Sequence, residues 1–295
     1  MGVNRQACEV LIHAREHLGV DLSTTLTLGR LQMFMRPAQL DALVARLRPE
    51  WREAWKNVSA DTGYAEPLFN ALGARTVDSM DYSDYEQATI IHDLNTPVPE
   101  TLYARFTCVV DGGTIEHVFN FPNAIQSCMR MVAPGGHYIG ITPANNQMGH
   151  GFYQFSPELY FRLFAPENGF EVRSMLLGVN DAWFEVSDPK TVRERVQLLS
   201  SAPLTLVVIA RRTGDVPAVL QVQQSDYVSA WNNAEAEREG RPREHEPAYR
   251  RWLRKLLPVR MRTFLRNVAA LFRPREEASG IIGMVDATHF KRVQL

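Results

Sequence analysis

The sequence predicts an α/β protein built on a doubly wound, mostly parallel sheet of seven strands. Seven apolar runs of five to eight residues alternate with segments whose apolar side chains recur every three or four positions. Helix-start and turn residues fall between these segments rather than inside them. The 295 residues, 45% hydrophobic and 22% charged, supply one large core, while 18 Gly and 17 Pro without period exclude collagen-like and low-complexity chains.

Gln6–Leu18 places Val10, Leu11, Ala14 and Leu18 on one helical stripe. Thr24–Leu28 reads as the first strand, closed by Gly29. Pro37–Leu47 repeats Leu40, Leu43, Val44 and Leu47 at helical spacing with Pro37 at its start, and Glu50–Val58 extends this region or forms a separate turn. Tyr64–Leu72 is a helix capped by Gly73. Thr76–Asp81, Ala88–Leu94 and Phe106–Asp111 follow as strands. Phe121–Val132 is an amphipathic helix stopped by the turn Ala133-Pro-Gly-Gly136, and His137–Thr142 is a buried strand. Ser156 caps a helix that begins at Pro157 and runs through Phe164. Phe170–Leu177 and Leu204–Ala210 complete the strands, and no internal repeat is present.

The three cysteines Cys8, Cys108 and Cys128 form no close pair, so neither a disulfide framework nor a thiolate zinc site is expected. No apolar run reaches the roughly 18 residues of a membrane span, and Met1–Cys8 leads into no signal-peptide core, so a cytoplasmic location is expected. Net charge is −1, yet eleven of the 32 basic residues and only two of the 33 acidic ones lie between Arg241 and Arg275. In Ala248–Phe272 arginines interleave with Trp252, Leu256, Phe264 and Leu271, and Pro258 splits the stretch into two amphipathic pieces. A packed C-terminal helical extension with a solvated basic face competes there with a dimer arm and with contact to an anionic membrane surface through residues 248–275. Nucleic acid is not an expected partner, because no stacking platform accompanies the arginines.

Ligands of doubly wound sheets bind beyond the carboxyl ends of the strands, so the strand termini carry the functional information. They are Gly29-Arg30, Asp81 with Asp84, His92-Asp93-Leu94, Asp111-Gly112 through Glu116-His117, and Thr142 through Asn145-Asn146. This polar edge points to a small-molecule site. The segments Val77–Asp81, Ile90–Asp93, Cys108–His117 and Val132–Ile139 resemble the class I S-adenosylmethionine-dependent methyltransferases, in particular the type 11 group, over about Tyr64–Arg212. The resemblance implies a Rossmann-like sheet, S-adenosyl-L-methionine as cofactor, and methyl transfer to a small or carrier-linked acceptor. Similar sequences suggest a sugar hydroxyl in bacterial polysaccharide biosynthesis.

On that resemblance Asp81, with Asp84 as substitute, takes the ribose hydroxyls, and Asp93 the adenine amino group, with Leu94 packing on the base. Asp111 and Gly112 line the floor near the methionine moiety. The glycine-rich turn of the family is reduced here to Gly29, followed by Arg30, which is able to pair with the methionine carboxylate; Asp81 comes 52 positions later. A helical insertion at about 36–60 accounts for the separation. The alternative function is a non-catalytic methyltransferase-like binding or scaffold protein that has lost the cofactor site. Methyl transfer to a hydroxyl needs a base, and His150 or His117, with Glu116 beside it, are the candidates, while Asn145, Asn146 and Tyr153 orient the acceptor.

No metal site is expected. His13-Ala-Arg-Glu-His17 places two histidines on one helical face with no third ligand marked nearby in sequence, and His92, Asp93, Glu116, His117, His137 and His150, although able to converge, show no metal-ligand spacing. The predicted organisation is an N-terminal helix (1–23), a methyltransferase-like domain (24–215), a linker (216–247) and a basic C-terminal extension (248–295). The protein is expected in the cytoplasm, with peripheral contact at the inner membrane surface and a homodimer as further partner states.

Overall fold

The computed structural model describes residues 2–47, 63–193, 195–238, 257–258, 261, 281–284 and 289–295. The chain begins with β1 (Gly2–Val3), α1 (Arg5–Leu18), β2 (Thr24–Leu28), β3 (Gln32–Met33), α2 (Pro37–Leu47) and α3 (Glu66–Ala71). Next come β4 (Thr76–Asp81), β5 (Ile90–Ile91), β6 (Phe106–Asp111), α4 (Phe121–Met131), β7 (Val132–Pro143) and α5 (Pro157–Leu163). The remainder is β8 (Phe170–Val179), β9 (Ala182–Val186), α6 (Pro189–Val192), β10 (Leu198–Ser200), β11 (Thr205–Arg212), α7 (Ser225–Arg238), β12 (Ile281–Met284) and β13 (Phe290–Val293).

Local chemistry explains the main boundaries. The Asn4 side chain accepts the Ala7 N–H at 2.9 Å to start α1, and Gly19, at φ +65°, ends it in the left-handed region. Ser156 accepts the Leu159 N–H at 3.4 Å with Pro157 in the first turn, as the sequence predicts for α5. β2, β4 and β6 have the predicted limits.

The main sheet has nine strands in the order β13-β9-β8-β11-β7-β6-β2-β4-β5. β5, β4, β2, β6 and β7 are mutually parallel, which is the doubly wound order with its switch point between β2 and β6. β11 runs antiparallel between β7 and β8, and β8–β9 and β9–β13 are also antiparallel. The sheet is therefore larger and more mixed than the seven mostly parallel strands expected. β9, which the sequence reading did not assign, pairs with β8 through a two-residue turn in which Asn180 takes φ +51°.

Alternate residues bury against opposite faces. Leu26, Val109, Tyr138, Leu206 and Val208 join the cluster containing α4 and α5 residues such as Ile125 and Leu163. Cys108, Val110, Ile139, Val207 and Ile209 join the other cluster, with Leu11 of α1, Leu40 of α2 and Phe69 of α3. Each fully buried Leu or Phe contributes about 1.5–3 kcal/mol relative to exposure, so both layers are needed.

Four further differences from expectation have physical causes. Ala133-Pro-Gly-Gly136 is the opening of β7 rather than a turn; a Cβ at Gly136 would sit 2.7 Å from the Thr107 carbonyl, so glycine allows β7 to approach β6. The third parallel strand shrinks from Ala88–Leu94 to Ile90–Ile91, since only that pair meets β4 at the sheet edge. Part of the expected linker is helix α7, tied to the body where Ser225 N–H donates to Glu158 at 2.7 Å and Arg195 pairs with Asp226 at 2.7 Å. Beyond residue 275, where the sequence assigns no element, the described residues include two strands: β12 pairs with β10 and β13 covers the open edge of β9. Glu50–Val58, and all of Arg241–Arg275 apart from residues 257, 258 and 261, lie outside the described residues. No helix among the described residues is long and apolar enough to cross a membrane.

Candidate active site

The turn that follows β6 is built around Asp111. Its Oδ1 accepts the N–H groups of Thr114 at 2.8 Å and Ile115 at 3.3 Å, and the other oxygen accepts the Tyr138 hydroxyl at 3.1 Å. Thr114 Oγ1 donates to the Leu28 carbonyl at 2.6 Å, which ties this turn to the end of β2 across the switch point. The chain then makes one 3-10 turn, Ile115–His117, presenting Glu116 and His117.

The loop after β7 is stapled onto that turn. Phe152 and Tyr153 donate their N–H groups to the Glu116 carbonyl at 2.8 and 3.2 Å, and the Tyr153 hydroxyl donates to the Phe119 carbonyl at 2.6 Å. Gly151, at φ +77°, makes the approach feasible: a Cβ there would meet the Glu116 carbonyl at 2.9 Å and His117 Nδ1 at 3.1 Å. His150 Nε2 consequently lies 3.2 Å from Glu116 Oε1, His117 Nε2 lies 3.9 Å from the same oxygen, and the two imidazoles are 5.2 Å apart. All three residues proposed for acid–base work thus converge.

Their environments differ sharply. The Glu116 side chain is fully buried, whereas those of His117 and His150 are 46% and 52% exposed. Burial, reinforced by the nearby Asp111 carboxylate, pushes Glu116 up to about 8. Burial also pushes Asp111 up to about 6, against the hydrogen bonds it accepts. His117 is pulled below its ordinary value by burial and by His150. Glu116 Oε2 is buried with no hydrogen-bond partner among the described residues.

The residues expected to hold a cofactor divide into rim and interior. Gly29, at φ +70°, turns the chain at the end of β2, and its N–H donates to the Met80 carbonyl at 2.6 Å. Asp81 is half-buried on the rim, its side chain accepting loosely from the Ser83 N–H at 3.4 Å, and Asp84 is exposed. Asp93 closes its own turn by accepting the Asn95 N–H and side-chain amide at 2.9 and 2.8 Å, which hold its carboxyl below the ordinary range. Leu94 is buried in the core rather than presented to a base.

Asp111 is likewise wholly buried, and the space above Gly112 is filled: a Cβ there would lie 2.9 Å from Leu31 Cδ2. These two therefore form no open floor. Arg30 is committed internally, donating to Glu66 Oε1 at 2.6 Å and to the Glu86 carbonyl at 3.1 Å while stacking 4.0 Å above the Tyr64 ring. On the acceptor side, Asn145 donates to the Leu198 carbonyl at 3.2 Å, and Asn146 to those of Ser200 and Ala202 at 2.7 and 3.0 Å, so both amides anchor β10. Sequence reasoning missed Leu31, Glu66, Glu86 and Gly113, of which only the glycine before Glu116 left a signal. Two surface clefts lie away from this region, one of about 510 Å³ near Glu158, Lys190, Arg195 and Asp226, the other of about 380 Å³ near Arg5, Phe34 and Leu43.

No protein-family model matches the chain, and no curated protein matches it. Among solved structures it is similar to a 1,6-didemethyltoxoflavin-N1-methyltransferase of Burkholderia thailandensis with bound 1,6-didemethyltoxoflavin and S-adenosylhomocysteine: 15% identity, 71% of this chain and 77% of that one covered, TM-score 0.36. It is also similar to the N-methyltransferase NodS of Bradyrhizobium japonicum, at 13% identity over 70% of this chain and 95% of that one, TM-score 0.37. The branched-chain polyamine synthase of Thermus thermophilus overlaps at 10% identity over 71% of this chain and 56% of that one, TM-score 0.36. Likeness at this level leaves the architecture to be judged from the chain's own strand order.

Proposed function

We propose that the chain is an S-adenosylmethionine-dependent methyltransferase whose acceptor loses its proton to the Glu116–His150 pair. One observation carries this reading: a buried carboxylate stands 3.2 Å from a half-exposed imidazole at the carboxyl ends of parallel strands, beside the switch point. The resemblance of Cys108–His117 and Val132–Ile139 to the class I enzymes supports it.

The residues present fit the nucleoside end of the cofactor. Asp81 offers a loosely held carboxylate at the end of β4, suited to two ribose hydroxyls, and Gly29 clears backbone space at the end of β2. When bound, the cofactor supplies a methyl group already activated on a sulfonium. What remains for the protein is to align an acceptor and remove its proton. Glu116, ionised, accepts the Nε2–H of His150, which leaves Nδ1 as the proton acceptor and stabilises the imidazolium that forms. With Glu116 pushed up to about 8, the pair gains this basic form as pH rises through that value. The proposed acceptor is a hydroxyl on a small or carrier-linked molecule, with a sugar in polysaccharide assembly as the specific candidate.

A specific observation favours a second reading, a binding module without cofactor. Leu31 packs on Gly112, and Arg30 is tied to Glu66 and Glu86 where the amino-acid end of the cofactor would lie. Calorimetry with S-adenosylhomocysteine separates the two. Saturable heat with the wild-type chain, lost in Asp81→Ala and retained in Glu116→Gln, supports methyl transfer; no heat with the wild type leaves the binding module.

A further inference from the structure

We propose that Glu116, His117 and His150 form a binding site for a divalent ion of the zinc type. Nothing in the sequence spacing announces it, because two ligands are adjacent and the third comes 33 positions later from another loop. The fold supplies what the spacing lacks. One ligating atom from each of the three side chains lies within 4.8 Å of the others. The Glu116 oxygen is 3.2 Å from one imidazole nitrogen and 3.9 Å from the other. An ion with bonds of about 2.0–2.1 Å in tetrahedral array sets its ligands about 3.3–3.4 Å apart, so the Glu116–His150 pair already has the required spacing and a side-chain adjustment of no more than about 1.5 Å at half-exposed His117 completes the set.

Three features select the kind of ligand. Two imidazoles and one carboxylate are the donor set of open zinc sites, and imidazole nitrogen disfavours the hard cations Mg²⁺ and Ca²⁺. The Glu116 carboxylate is wholly buried, with Oε2 unpartnered among the described residues, and a carboxylate desolvated in this way is relieved by an adjoining cation. Both imidazoles are about half exposed, so the ion enters from solvent and keeps one position open. The backbone holding these ligands is fixed by Asp111 on one side and by the Phe152 and Tyr153 bonds to the Glu116 carbonyl on the other. The other close histidine pair, His13 and His17 on α1 with rings 5.2 Å apart, gathers no third ligand among the described residues.

An ion bound through His150 Nε2 leaves Nδ1 protonated, so ion and base exclude one another at this position. Ion binding itself goes beyond the methyl-transfer reading and does not depend on it. The test is titration of the chelator-treated full chain with Zn²⁺ by calorimetry, together with Co²⁺ followed by its visible absorption. One equivalent is expected. His150→Ala and His117→Ala should each weaken it by more than the 10–100-fold typical of losing an outer-shell partner, while His13→Ala leaves it unchanged. Circular dichroism confirms that the variants, altered at half-exposed side chains, stay folded. Absence of a saturable site in the wild type, or binding as tight as the wild type's by folded His150→Ala and His117→Ala, overturns the proposal. Zinc binding without S-adenosylhomocysteine binding sinks the methyl-transfer reading alone; the reverse result sinks this site alone.

Discussion

Replacing Asp111 by asparagine should stabilise the protein at neutral pH, and the gain should vanish in acid. Asp111 is completely buried, and its oxygens accept from Thr114, Ile115 and Tyr138. Its carboxyl, near 3.8 in the unfolded chain, is pushed up to about 6 by burial in the folded one. Between these values the folded chain holds a proton that the unfolded chain has released. Stability is therefore lost as pH rises through this window, and above pH 6 the ionised group costs about 3 kcal/mol relative to its protonated form. Asparagine copies the protonated shape, keeps an oxygen for the two N–H donors, and offers an amide to the Tyr138 hydroxyl, which is able to accept. Urea denaturation at pH 4, 5, 6, 7 and 8 should show Asp111→Asn about 2–3 kcal/mol more stable than wild type above pH 6 and nearly equal at pH 4, with the slope m unchanged. Asp111→Ala, which strands three donors, should instead lose about 3–5 kcal/mol at pH 4, a deficit that narrows above pH 6 as the wild type itself loses stability. A pH-independent gap, or an asparagine variant less stable at pH 7, would refute the burial argument and return Asp111 to an open, ligand-facing floor.

Gly151→Ala forces a side chain against the Glu116 carbonyl in a left-handed backbone; the expected cost is about 1–3 kcal/mol, with a lower thermal midpoint and weakened zinc binding. Trp183→Phe removes the buried indole N–H that donates to Glu9 at 3.0 Å, for a loss of about 1–3 kcal/mol in chemical denaturation. Burial, aided by Arg211 and Arg173, pulls His137 down to about 4. The unfolded chain takes up that proton near pH 6.5, so wild-type stability falls from pH 6.5 toward 4. His137→Gln should lessen this acid loss by up to about 3 kcal/mol, seen by comparing denaturation at pH 7 and 4.5.

The amino-acid sequence alone determined the alternation of strand and helix, the limits of β2, β4 and β6, and the polar character of the strand ends, because period, cap and turn chemistry are local. It also singled out Glu116, His117 and His150 by residue type. Tertiary structure alone decided that these three meet, since Gly151 and the Phe152 and Tyr153 N–H groups join two loops that local signals cannot pair. It likewise decided that Asp111 and Leu94 face inward, that Arg30 answers to Glu66, and that β9 and β13 extend the sheet. Direction along a strand end and the partner across a sheet edge are set by packing between residues far apart in the chain, which no single-segment pattern encodes.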